Sequence, residues 1–80
     1  MCGIAGYLGT SNDAAAQVLG MQIELEGRGP HSAGIAVLVP GEGIQGQNRL
    51  GSASHLAQRI DLRKFQGKAA IGHDRYATQG

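Results

Sequence analysis

The chain alternates short apolar runs with glycine-bearing polar breaks. Gly3-Ile4-Ala5-Gly6-Tyr7-Leu8 is apolar almost from the first residue and predicts a buried strand. Gly9-Thr10-Ser11-Asn12-Asp13 then supplies turn and N-cap chemistry. From Ala14 to Leu25 the period changes. Ala14, Val18, Met21 and Leu25 recur at helical spacing and share one face, with Gln17, Gly20 and Glu24 on the other. Gly27 and Gly29 end that helix, with Pro30 just beyond. Ala33 to Val39 is almost wholly apolar and predicts a second strand covered on both faces. Pro40-Gly41-Glu42-Gly43 reads as a turn, and Ile44 to Leu50 as a more polar third strand nearer an edge. Ser52 or Ser54 can cap a second helix containing Leu56 and Ile60, broken by Gly67. Lys68 to His73 predicts a fourth strand, and Arg75 to Gly80 the loop that leaves it.

Strand, helix, two strands, helix, strand is the order of an α+β or layered α/β domain. Four strands and two helices leave sheet faces or edges uncovered. The expectation is therefore that residues 1–80 form the first part of a larger domain. The alternative is a complete, compact 80-residue α+β protein.

Composition narrows the function classes. Net charge is +1, and Arg49, Arg59, Arg63, Lys64 and Lys68 form no dense block, which argues against nucleic acid as a partner. Tyr7, Phe65 and Tyr76 are too few for a base-stacking platform. No apolar run approaches the length of a membrane span. A single cysteine allows no internal disulfide and fits a reducing, cytoplasmic setting. No clustered Cys/His set suggests a metal. The 14 glycines lie among strand-like runs, suggesting tight turns and close backbone contacts.

The one cysteine is Cys2. If the initiator Met1 is removed, its thiol shares a residue with a free α-amine. The amine has an ordinary pKa of ~7.7–8.0 and can accept a proton near neutrality. The thiol, at ~8.5, is the most easily activated side-chain nucleophile. Base and nucleophile then sit on one residue, the N-terminal variant of triad logic. The structural alternative is an inert, buried thiol.

Three segments give this thiol a context. Cys2-Gly3-Ile4-Ala5-Gly6 resembles the start of class II glutamine amidotransferases, N-terminal nucleophile hydrolases that release ammonia from glutamine. Arg28-Gly29-Pro30-His31-Ser32-Ala33-Gly34-Ile35 is similar to the family's Arg-Gly-x-x-Ser-Ala-Gly segment. Gly72-His73-Asp74-Arg75-Tyr76-Ala77-Thr78-Gln79-Gly80 is similar to its Gly-His-x-Arg-aromatic-x-Thr-x-Gly segment. The resemblance implies the family's four-layer αββα fold, here incomplete, with mostly antiparallel strands and two helices. It also implies no cofactor.

The resemblance assigns roles residue by residue. Cys2 is the nucleophile. Arg75 and Thr78 bind the carboxylate of the substrate glutamine, which suits an arginine fork and a nearby hydroxyl. Tyr76 lines the glutamine pocket or packs in the core. Arg28 and Gly29 organise the turn beside the nucleophile; for Arg28 the alternative is a cation at a helix C-terminus. Gln79 stands where glucosamine-6-phosphate synthases have His and amidophosphoribosyltransferases Ala, so its role is open. His73 reads as packing, and Ser32-Ala33-Gly34 as small residues beside the site. The implied partners are glutamine, the rest of the domain, and a synthase domain that uses the ammonia, in a homo-oligomeric complete enzyme. The Arg-Gly-x-x-Ser-Ala-Gly and His-x-Arg-Tyr segments lean towards amidophosphoribosyltransferase, with phosphoribosyl pyrophosphate as acceptor. A glucosamine-6-phosphate synthase glutaminase domain is the first alternative, and a non-catalytic fragment or assembly module the second. The family's oxyanion-hole Asn-Gly pair lies downstream of the last segment, so the 80-residue chain alone is expected to have little glutaminase activity.

Overall fold

The computed structural model describes residues 2–25 and 32–75. Their elements follow in the order β1 (Cys2–Leu8), α1 (Ala14–Leu25), β2 (Ser32–Val39), β3 (Gly43–Leu50), α2 (Ala53–Arg59), a single 3-10 turn (Leu62–Lys64) and β4 (Ala69–Arg75). The four strands form one antiparallel sheet in the spatial order β1-β4-β2-β3. The architecture is α+β, as the element order predicts.

Local chemistry explains the boundaries. Asp13 accepts the first helical bond of α1 from Gln17 N–H, and its carboxylate accepts from the Gln17 amide at 3.2 Å. Ser52 caps α2 by accepting from His55 N–H, also at 3.2 Å. The β2–β3 hairpin turns through Gly41 and Gly43, both at positive φ near 80°, a conformation that favours glycine. The predicted end of α1 at Gly27 and Gly29 lies outside the described residues.

The core lies between the helices and one face of the sheet. Ala14, Ala15, Val18 and Leu19 from α1 and Ala53 and Leu56 from α2 pack on Ala5, Ala33, Ile35, Val37, Val39 and Ala70. Ile60 and Phe65 close one side. Gly72 lets α1 come close: a Cβ there would collide with Val18 and Gln22.

Three expectations are corrected. The β1 and β2 strands are covered on one face, with side chains alternating across it. Ile4 is 75 % exposed, Leu8 83 % and Ile71 61 %, and Leu38, Ile44 and Leu50 join them on the uncovered face. Apolar residues on both faces made the strands read as buried. The α1 stripe is rotated: Ala15, Leu19 and Gln22 are buried, whereas Leu25 is exposed. Arg75 belongs to β4 and not to a loop, because strands pair with it on both sides.

Candidate active site

The sheet registers bring the described parts of the three sequence segments together at one end. Cys2 on β1 stands opposite Arg75 on β4, and Arg75 stands opposite Ser32 on β2. Arg75 is thus flanked in this terminal row by Cys2 and Ser32, whose backbone positions lie roughly 10 Å apart at ordinary strand spacing. Residues that are 73 apart in the chain become direct cross-strand partners. Arg75 is exposed, so its guanidinium is accessible to a ligand at this end.

The next row inward is Gly3, Asp74 and Ala33, which faces the helices. Here the structure adds two residues that sequence reasoning missed. Asp74 is 3 % exposed and Gln22 of α1 is 2 % exposed. The Gln22 side-chain amide donates to Asp74 Oδ1 at 3.0 Å and to the carbonyl of Gly34 at 3.3 Å. One helix side chain therefore ties together β4 and β2 directly beneath the terminal row. Gln22 Oε1 is buried without a partner in the structure. Burial pushes the Asp74 carboxyl above its ordinary range, opposed by the Gln22 hydrogen bond and by the charge of His73.

A signal for Gln22 was present: it follows Val18 by four residues and so falls on the apolar face of α1. Its partner, 52 residues away, carries no local signal. His73 is exposed on the open face, which corrects the packing expectation. Ala33 and Gly34 are buried and Ser32 is half-buried. Asn48 of β3 closes against Gly34 and leaves no room there for a Cβ. Of the sequence-derived site residues, the structure brings together Cys2 and Arg75. Arg28, Gly29, Tyr76, Thr78 and Gln79 lie outside the described residues.

No protein-family model matches the chain. Among curated proteins it is 46 % identical, over all 80 residues, to a glutamine–fructose-6-phosphate aminotransferase (isomerizing) of Thermus thermophilus. It is 42 % identical over 80 residues to the protein of the same name in Chlamydia trachomatis, and 38 % identical to that of Pseudomonas putida. The chain spans 13 % of the length of each of these relatives.

Proposed function

We propose, from the premise that this chain is homologous over its whole length to the N-terminal region of class II glutamine amidotransferases, that the Cys2–Arg75 end of the sheet is the glutamine site of a glutaminase. The observation that carries the reading is the cross-strand pairing of Cys2 with Arg75. It sets the candidate nucleophile one strand away from a cation able to hold the substrate α-carboxylate.

In this mechanism Met1 is first removed. The α-amine of Cys2 takes the thiol proton, and the sulfur attacks the side-chain amide carbon of glutamine. The proton passes to the leaving nitrogen and ammonia departs, leaving a γ-glutamyl thioester. Water, deprotonated by the same amine, hydrolyses the thioester to glutamate and returns the free thiol. The sum is glutamine plus water giving glutamate plus ammonia. Arg75, with Thr78 and Tyr76, holds the substrate, while Arg28 and Gly29 order the turn beside the nucleophile. In the family the oxyanion donors are an Asn-Gly pair downstream of the last matched segment, and losing one such donor typically costs ~10²–10³ in rate.

The acceptor reading is corrected. Phosphoribosyl pyrophosphate and purine synthesis, towards which the motifs lean, have no support among the relatives, whose names carry fructose 6-phosphate. The glucosamine-6-phosphate synthase alternative fits better, so the ammonia is assigned to a sugar phosphate of the fructose 6-phosphate type. A non-catalytic assembly role draws on a different observation, the uncovered apolar face of the sheet.

Glutamate release by the complete gene product, with and without fructose 6-phosphate, tests both parts. The reading expects glutamine turnover that Cys2→Ala abolishes and that fructose 6-phosphate couples to amino-sugar formation. A folded parent protein with no turnover would favour the assembly role.

A further inference from the structure

We propose that the Gln22–Asp74 pair is a positioning device that sets Arg75 for the substrate carboxylate, an inference that rests on the glutaminase reading above. Three observations support it. Side chains alternate across a strand, so the direction of Asp74 into the helix layer fixes the direction of its neighbour Arg75 towards the other face. Asp74 is held by a 3.0 Å hydrogen bond from a side chain that is itself buried. The same amide holds Gly34 at 3.3 Å, two residues from Ser32, the second cross-strand neighbour of Arg75. β4, which carries Arg75, and β2, its neighbour on one side, are thus locked to α1 by one group. Terminal residues of strands otherwise fray. Polar atoms buried in this way are an expensive means of fastening a helix to a sheet, since an apolar pair of the same shape serves as well. Their place immediately under the terminal row, and nowhere else among the described core residues, points to geometry at that row as their purpose.

The test compares two reagents on Cys2 in the complete gene product. A diazoketone analogue of glutamine keeps the α-carboxylate that Arg75 would hold. Iodoacetamide has no carboxylate and reports on the thiol alone. The readout is the ratio of their alkylation rates at Cys2, measured by mass spectrometry. Gln22→Leu is expected to lower that ratio about tenfold, the effect of a carboxylate grip displaced by a fraction of its contact distance. Asp74→Ala removes the acceptor from the other side and is expected to lower it in the same direction. Asp74→Asn keeps an acceptor oxygen for the Gln22 amide and should hold the ratio within about threefold of the parent. Gln22→Met, which conserves volume, replaces Gln22→Leu if that variant fails to fold. An unchanged ratio in Gln22→Leu and Asp74→Ala overturns the inference, as does equal slowing of both reagents, which marks a structural role alone. If the parent protein shows no preference for the glutamine analogue, the glutaminase reading itself fails, and the inference falls with it.

Discussion

The two faces of the sheet are built from alternate residues of the same four strands, yet they do different work. The face towards the helices carries Ala5, Ala33, Ile35, Val37, Val39 and Ala70, mostly small or β-branched, closed over by α1 and α2. Among the described residues, the polar side chains fully buried there are Asp74 and Gln22. The other face carries the larger Ile4, Leu8, Leu38, Ile44, Leu50 and Ile71, all exposed, and ends in the row that contains Arg75. Covered positions hold the domain together, whereas the end of the open face holds the candidate chemistry. Substitutions on the first should therefore change stability, and those at the row of Arg75 should change substrate handling with stability left intact.

The largest effect belongs to the covered face. Leu56→Ala empties a site with 0 % exposure in the core and is expected to lower unfolding free energy by ~2–5 kcal/mol, read by urea denaturation. If the loss stayed under about 1 kcal/mol, the helix layer would not be the structural anchor described here.

The next concerns the end of the open face. Arg75→Lys keeps the charge but loses the planar fork, so the KM for glutamine in the complete gene product should rise about tenfold. The urea midpoint should stay in place. A shift of the midpoint with an unchanged KM would reverse the assignment of the two faces at this residue.

A third prediction uses pH. Burial raises the Asp74 carboxyl above its ordinary value in the folded chain. Between the ordinary value and the raised one, the folded state therefore binds more protons than the unfolded state, and stability falls as pH rises. The contribution is complete below the ordinary carboxylate range and is lost as pH passes the raised value. His73 beside it is the cation that bears on this carboxyl, while Arg49 on β3 shares its cross-strand row two strands away. Asp61, held low by its hydrogen bonds with Arg63, gives the opposite slope at lower pH. The difference between the parent and Asp74→Asn cancels that contribution. The difference curve should slope downwards with pH, and a flat curve would mean that Asp74 is not buried in the folded chain.

The smallest effect is expected at Leu38→Ala. Leu38 points away from the helices and is more than half exposed, so the 80-residue chain should lose no more than ~0.5 kcal/mol. Val37, its neighbour in β2, is fully buried, and its replacement by Ala should cost more.

The contrast between the faces also marks what the sequence could disclose. Ala14–Leu25 was legible to the residue because a 3.6-residue period and turn residues before it are local signals. The Ser52 cap was legible for the same reason. Strand order was not, because pairing β4 between β1 and β2 is a long-range choice that leaves no local mark. The apolar residues on both faces of β2 were read as burial on both sides, since composition alone does not say whether a second layer is present. In the site, Cys2 and Arg75 were legible through their motifs, and the register then made them neighbours. The pairing of Gln22 with Asp74 was not: Gln22 carries a local signal in its spacing from Val18, but Asp74 reads as an ordinary polar residue until the fold buries both. The 3-10 turn at Leu62–Lys64 is set by Asp61 accepting from Arg63 N–H at 3.1 Å, a contact too local and too short to show as a period.

The proposed function stands or falls on Cys2 as the N-terminal nucleophile of a glutamine site. Intact-mass and peptide analysis of the complete gene product, after treatment with the diazoketone analogue of glutamine, addresses it directly. The expected result is a protein lacking Met1, with one adduct located at Cys2 and protected by excess glutamine. Retention of Met1, or an adduct that forms elsewhere and ignores glutamine, would contradict it.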